Sequence, residues 1–476
     1  MIKTADHLYL QVADKIEQMI EKDVMKMGEK LPSVRMLSKQ QGISLTTAFQ
    51  AYYHLEGKGL IESRPKSGYY ICRNSRRMAP MPGTCAPVRK PASDVTVSDM
   101  VMEVFSHITN DNILKFSVAA LPVSVLPAAK MAKAVIHTMR DQGPGGIGYE
   151  PLQGNELLRN QIARLSLGWG EVYTADDVVT THGCMDALTL CLTATTQPGD
   201  TIALESPSYY GALQLAEGLG LKVLEVPTNP ITGVDLDYLD KAIPRHKIKA
   251  CLFVTNFNNP LGCCMPDKHK QELVKIVEKY DIALIEDDIY GDLYFGKQRP
   301  LTCKAFDTQG NVLLCNSLSK SVAPGYRVGW TMPGKYKEKV LRLKHHHAIS
   351  CTSLTHAAAG HFLEIGRYDF HLRNLRKMLH TQSLRYAQAI CEYFPESARV
   401  TRPQGGCVLW VELEDHVNTF ELFQQTLKHK IAFCPGRLFS LQNRYNNCLR
   451  ISYGNPWSKQ VEDGLKTIGK LIHKMR

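Results

Sequence analysis

Ser317-Leu318-Ser319-Lys320, with Arg327 seven residues further on, is the stretch on which the reading of this chain turns. It closes a short apolar run at 312–315. A second run at 282–285 leads into Asp287-Asp288-Ile289-Tyr290. Short apolar runs closed by polar residues predict buried strands that present a lysine, an arginine and a carboxylate at their ends. Further runs at 178–181, 201–205, 222–226 and 250–255 repeat the pattern, and the helical spacing of Asp267–Lys279 lies between two of the runs. This alternation predicts an α/β fold with a largely parallel sheet, whose ligands gather just past the strand ends.

Lys320 is the centre of that gathering. A lysine amine condenses with an aldehyde, and free amines then exchange into the imine. Asp287, expected at the end of a buried strand, needs a partner, and the pyridinium nitrogen of pyridoxal phosphate is a suitable one. Tyr290 and Asn259, the latter in Asn256-Phe257-Asn258-Asn259-Pro260-Leu261-Gly262, can hydrogen-bond the ring hydroxyl. Thr181-His182-Gly183-Cys184-Met185 precedes a helix whose first N–H groups can hold phosphate, with Ser317, Ser319 and Arg327 completing that pocket. Tyr209, in Pro207-Ser208-Tyr209, is placed to stack on the pyridine ring. Arg450, in Arg450-Ile451-Ser452-Tyr453-Gly454, is a candidate clamp for a substrate carboxylate.

The first 73 residues read differently. Leu8, Val12, Ile16, Met19 and Ile20 recur at helical spacing and predict a helix ending near Gly28. Pro32-Ser33 opens a second helix, capped by Ser33, with Leu37 inward and Gly42 closing it. Ser44 caps a third, whose stripe is Ala48, Ala51, Tyr52 and Leu55. Runs at 60–64 and 69–72 flank Pro65-Lys66-Ser67-Gly68 and predict a hairpin with a basic tip. Three helices and a wing form a winged helix-turn-helix. Arg35, Ser44, Thr46, Thr47 and Gln50 are its candidate contacts to double-stranded DNA, with Lys66 reaching from the wing. Residues 74–107, rich in proline, are expected to be a linker without regular structure, and residues 108–476 a second domain.

Composition agrees. The 476 residues carry a net charge of +11. Between Lys30 and Arg77 nine lysines and arginines face only Glu56 and Glu62, a net +7 in a tenth of the chain that favours a polyanion partner. Hydrophobic residues make up 44% and charged residues 22%, as in globular proteins with a sizeable core. No apolar run approaches the roughly 18 residues of a membrane span, and the N-terminus lacks a signal peptide's apolar core, so a cytoplasmic location is expected. The 14 cysteines have no zinc-site or disulfide-scaffold spacing. His345-His346-His347 is read as helix surface, and no metal site is expected.

Residues 108–476 resemble the aspartate aminotransferase superfamily (fold type I) through Tyr149, Gly154, Gly183, Tyr209, Asn259, Asp287, Tyr290, Lys320, Arg327 and Arg450, in that order. The resemblance implies a large, mostly parallel sheet domain with a smaller C-terminal subdomain. It also implies that Tyr149 reaches the phosphate of a neighbouring subunit, hence a homodimer. The N-terminal unit resembles the GntR winged-helix family through Leu31-Pro32-Ser33-Val34-Arg35 and Ala51-Tyr52, Leu55 and Gly59-Leu60-Ile61. Leu45 stands where that family usually has arginine, and Ala119-Ala120-Leu121-Pro122 replaces a glycine of the aminotransferases. The fusion resembles MocR-type bacterial regulators. Two readings follow: a DNA-binding transcription regulator in which an amino acid or amine displaces Lys320 from the cofactor, and an active aminotransferase with a DNA-binding appendage. The basic winged helix, for which catalysis has no use, favours the first while leaving residual transamination open. A cofactor-free scaffold would leave Asp287, Asn259 and Lys320 together unexplained.

Overall fold

The computed structural model describes residues 8–22, 24–26, 28–57, 59–64, 67–71, 79–84, 98–106, 112–141, 146–170 and 172–475. The chain falls into two compact units, one of residues up to Pro80 together with Leu384–Glu392, the other of Met81–Ser383 together with the residues from Tyr393 on.

In the first unit, α1 (Leu8–Glu21), α2 (Val34–Gln41) and α3 (Leu45–Gly57) precede a hairpin of β1 (Ile61–Arg64) and β2 (Gly68–Ile71). The caps are those expected. The Ser33 hydroxyl accepts from the Met36 amide, Gly42 closes α2 at φ 61°, and the Ser44 hydroxyl accepts from the Thr47 amide at 3.0 Å. Val12, Ile16, Ile20, Leu37, Ala48, Ala51, Tyr52, Leu55, Ile61 and Ile71 share one core, and the Tyr52 hydroxyl donates to the Pro32 carbonyl at 2.7 Å.

Three expectations need correction here. Helix α1 stops at Glu21 rather than near Gly28, because the amides of Val24 and Met25 turn back to the Met19 carbonyl. Residues 28–31 instead run beside the wing: Gly28 donates to Ile71, Ile71 to Glu29, and Leu31 to Tyr69. Met19, placed on the apolar stripe by its spacing, is more than a third exposed. The supposed structureless stretch before residue 107 also holds a helix, α4 (Ser98–Phe105). No proline follows Pro91 there, and Val101 and Val104, three apart, are buried.

The second unit is built on an eight-stranded sheet. Its strands are β3 (Val179–Thr181), β4 (Thr201–Ser206), β5 (Lys222–Asn229), β6 (Gly233–Val234), β7 (Ile248–Phe253), β8 (Ala283–Asp287), β9 (Val312–Ser317) and β10 (Gly329–Met332), in the order β3-β10-β9-β8-β7-β4-β5-β6. The run from β9 to β5 is parallel; β10 is antiparallel to both its neighbours, and β6 to β5. Every residue of β8 and β9 is buried, as expected of strands covered on both faces. Because β10 reverses direction twice between β3 and β9, the carboxyl ends of β3, β4, β7, β8 and β9 all reach the same edge. Helices α5 (Cys184–Thr195) and α6 (Asp267–Lys279) are crossovers; α7 (Lys337–Ala348) and α8 (Ser353–Glu364) follow the sheet. A smaller four-stranded sheet closes the unit, with β11 (Arg399–Val400), β12 (Val408–Glu412), β13 (Cys434–Pro435) and β14 (Cys448–Ser452) in the order β11-β12-β14-β13.

Candidate functional site

At the carboxyl edge of the large sheet a cavity of about 200 Å³ is lined by Cys184, Met185, Tyr209, Val254, Asn259, Asp287, Ile289, Tyr290, Ser319, Lys320 and Arg327. Five strands supply it: the lining residues lie at, or up to six positions past, the ends of β3, β4, β7, β8 and β9, except Arg327, which stands two residues before β10.

Asp287 ends β8 almost wholly buried. Its Oδ1 accepts from the Ile289 amide at 3.1 Å and from the Cys184 thiol at 3.3 Å. Burial, against the pull of these donors, pushes its carboxyl up to about 6. A pyridinium cation would relieve that penalty. Lys320 Nζ donates to the Ala119 carbonyl at 2.6 Å and lies 5.5 Å from the Tyr290 ring centroid. Desolvation lowers its pKa, which favours the neutral, nucleophilic amine. Burial raises the Tyr290 and Tyr209 phenols, so both remain protonated donors.

The phosphate end is equally specific. Gly183, at φ 84°, precedes α5 with no side-chain cap, so the first amides of the helix remain available to an anion. A Cβ at Gly183 would stand 2.3 Å from an Arg327 guanidinium nitrogen, so glycine is what lets that group close on the helix end. Arg327 has left-handed backbone at φ 54°, a conformation that costs a non-glycine residue on the order of 1 kcal/mol. It donates to the Ser319 hydroxyl at 3.3 Å and the His182 carbonyl at 3.1 Å. An uncapped helix end, a fixed guanidinium, a hydroxyl, a buried carboxylate and a desolvated lysine fit pyridoxal phosphate.

Four expected residues stand outside the lining. Gly183 shapes the helix end from behind. Ser317 is also one step back, its hydroxyl accepting from the Ser319 amide at 3.2 Å. Arg450 is completely buried: it donates to Asn259 Oδ1 at 3.2 Å and to the Ser117 carbonyl, while its Nε has no partner. Tyr149 is 83% exposed and does not line the cavity of its own chain. The structure adds Val254, Ile289 and the Ala119 carbonyl. The first two are apolar and carry no chemical signature, and a backbone carbonyl carries none in sequence at all.

In the first unit Arg35 is exposed at the start of α2. Ser44 and Thr47 are joined by their hydroxyls at 2.7 Å, and Gln50 is half-buried on α3. Only the backbone of Thr46 is described, and Lys66 lies outside the described residues. Leu45 and Phe49, unforeseen as contacts, are exposed on the same helix, and Phe49 stacks on Tyr53.

Comparison with known proteins accords with both units. The family of class I and II aminotransferases matches residues 111–468, and the gntR family of bacterial regulatory proteins matches residues 8–71. The uncharacterized HTH-type transcriptional regulator YjiR of Escherichia coli is 38% identical over 98% of this chain and 99% of its own length. The chain belongs to the MocR-type regulators. A second MocR-type relative, YdcR of Escherichia coli, is 34% identical over 98% of this chain and 99% of its own. Among solved structures, the α-aminoadipate aminotransferase LysN of Thermus thermophilus, complexed with N-(5'-phosphopyridoxyl)-L-leucine, is 26% identical. It superposes with a TM-score of 0.72, covering 79% of this chain and 94% of that one. A kynurenine aminotransferase of Pyrococcus horikoshii shares the fold at 23% identity and TM-score 0.73, covering 81% of this chain and 95% of that one. The protein is therefore a DNA-binding transcription regulator of α/β class, with a GntR-type winged helix and a fold type I aminotransferase-like domain.

Proposed function

We propose that this regulator senses an α-amino acid or related amine by letting it exchange for Lys320 on pyridoxal phosphate, and reports the exchange through its winged helix. The observation that carries this reading is one chain holding both a lysine-centred pocket suited to amine exchange and a basic DNA-binding unit. The cofactor of the domain is pyridoxal phosphate, which when bound supplies an aldehyde for reversible condensation with amines and an electron-withdrawing ring.

The chain's residues have the following roles in this reading. Lys320, held by the Ala119 carbonyl, presents its amine in neutral form. Asp287 keeps a proton on the ring nitrogen, Asn259 and Tyr290 donate to the ring oxygen, and Tyr209 covers a ring face. Arg327, Ser319 and the Cys184 and Met185 amides hold the phosphate, with Ser317 fixing Ser319 and Gly183 giving room. Arg450 receives the effector carboxylate through its unpartnered Nε. Tyr149, exposed on its own chain, serves the pocket of a partner in a homodimer. Arg35, Ser44, Thr46, Thr47, Gln50 and Lys66 meet the DNA. The regulator acts in the cytoplasm; no helix among the described residues is long and apolar enough to cross a membrane, and twelve described cysteines are free thiols.

The test is to add individual amino acids and amines to the purified full-length protein. Cofactor absorbance, keto-acid release and DNA affinity are followed in the same samples. A subset of amines should change the spectrum and shift DNA affinity by about 5- to 150-fold, the usual range of coupling between sites. Spectral exchange with an unmoved DNA isotherm would overturn the sensing reading. Sustained keto-acid release would favour the enzyme with a DNA-binding appendage.

A further inference from the structure

We propose that Glu150, Cys351 and His356 form a binding site for a divalent transition-metal ion of the zinc class. The three offer a carboxylate oxygen, a sulfur and an imidazole nitrogen whose ligating atoms all lie within 4.8 Å of one another. Among the described residues no other cluster of this kind occurs. His356 Nδ1 is 3.5 Å from Glu150 Oε1, and the two side chains are 0% and 3% exposed. Both carboxylate oxygens of Glu150 and both ring nitrogens of His356 lack a hydrogen-bond partner. Buried polar atoms are rarely left so, and unpartnered atoms on two neighbouring side chains, with His356 Nδ1 and Glu150 Oε1 3.5 Å apart, call for a bound group.

The surroundings hold the donors in place. Cys351 precedes α8 and His356 lies within it. The Ser353 hydroxyl donates to the Gly148 carbonyl at 2.8 Å, tying the loop that ends in Glu150 to the start of that helix. The Thr180 amide donates to the Gln153 carbonyl at 3.0 Å, and a Cβ at Gly154 would collide with the Thr180 side chain, so loop and sheet meet closely. The Thr180 hydroxyl is 3.7 Å from Cys351 Sγ. Tetrahedral zinc with bonds of 2.0–2.3 Å sets its ligand atoms roughly 3.3–3.8 Å apart, so the cluster needs to contract by about 1 Å.

The donor set selects the metal. Thiolate and imidazole favour zinc and its neighbours over magnesium or calcium. Binding replaces the Cys351 thiol proton, released to solvent, with a sulfur–metal bond, and no oxidation state changes. Thiolate and carboxylate then balance the dication. Lys344, the other titratable group facing Glu150 and Cys351, with Asp186 nearby, is buried and donates to the Thr180 hydroxyl at 3.4 Å. Burial lowers its pKa, against the opposing pull of Cys351, Glu150 and Asp186. The ion would fix the loop that carries the exposed Tyr149. The proposal rests on no part of the effector reading.

The test uses the full-length protein with its cofactor, purified without a histidine tag, incubated with zinc and dialysed. Metal analysis should find about one zinc per chain, and the zinc absorption edge should show one sulfur at about 2.3 Å with nitrogen or oxygen at about 2.0–2.1 Å. Cys351→Ser should remove the sulfur shell and, like His356→Gln, lower retained zinc at least about ten-fold, within the loss typical of a damaged metal site. Replacing the exposed His345, His346 and His347 by glutamine should change nothing. Less than a tenth of an equivalent of zinc, a bound ion without sulfur, or full retention in both variants would overturn the proposal. Should Cys351→Ser fail to fold, the parent's sulfur shell and His356→Gln still decide it.

Discussion

The two units use charge in opposite ways. The aminotransferase-like unit buries it: Asp287, Asp288, Glu205, Lys270 and Arg450 are all under a tenth exposed. Arg299 donates to Asp292 at 2.7 Å and also to Asp288, while Lys270 Nζ donates to Asn256 at 2.7 Å. The winged unit packs an apolar core and leaves Arg35 and its neighbours in solvent. Buried charges are tolerated where partners are fixed, so they shape a site of one geometry and shift proton affinities. Exposed charges keep mobile side chains in water, which suits a polyanion met along a surface. One unit is therefore built to select a small molecule and the other to meet a long one, and perturbing either should leave a different signature.

The largest expected effect is at Lys320. Lys320→Ala should abolish covalent attachment of the cofactor: borohydride treatment of cofactor-saturated parent protein should add the cofactor's mass to Lys320, and the variant should show no adduct. Basal DNA affinity should persist in the variant while amines lose their influence on it. A parent protein without the adduct would remove the sensing and catalytic readings together.

How much of this was legible beforehand differed between the units for physical reasons. The strands of the large sheet are continuous apolar runs because parallel strands are buried on both faces, and their ends could be read within a few residues. Strand β10 was missed: its four residues begin with glycine and follow a left-handed turn at Arg327, and sequence carries no period for so short an antiparallel insertion. The lining residues with chemical character were legible; Val254, Ile289 and the Ala119 carbonyl were not. In the winged unit the serine caps and the apolar stripe of α3 were readable from local rules. The end of α1 was not, because residues 28–31 are captured by β2, a non-local pairing. The cluster of Glu150 with Cys351 and His356 joins positions some two hundred residues apart, with no motif between them.

Smaller effects sharpen the contrast. Leu55→Ala, at a fully buried position of the winged unit, should destabilise that unit by about 2–5 kcal/mol. If each unit is held by its own core, DNA binding should fall while cofactor absorbance and amine exchange survive; simultaneous loss of both on thermal melting would show that the units do not unfold separately. Asp287→Asn should act with the opposite sign. In the cofactor-free protein the folded state holds the Asp287 proton up to about 6, against an ordinary 3.8. The folded form thus binds more protons than the unfolded chain between pH of about 4 and 6, and stability falls as pH rises through that window, by about 3 kcal/mol in all. The amide cannot lose a proton, so the cofactor-free variant should be more stable than the parent at pH 8, while cofactor retention drops. Equal denaturation midpoints for parent and variant at both ends of the window would break the assignment.

The smallest effects separate charge from cap on the winged unit. Arg35→Ala, and Lys66→Ala at the wing tip read from the sequence, should each weaken duplex binding. Each should also flatten the slope of log affinity against log salt by about 0.9 for every phosphate left unneutralised. Ser44→Ala should cost about 1 kcal/mol of stability by uncapping α3, yet leave that slope unchanged, because the missing hydroxyl is neutral and releases no counterion. Binding isotherms at several salt concentrations give both quantities at once. If Ser44→Ala altered the slope as much as Arg35→Ala, the start of α3 would be meeting phosphate through its geometry as a whole. Unchanged isotherms in both charge variants would move the DNA-binding face away from α2 and the wing.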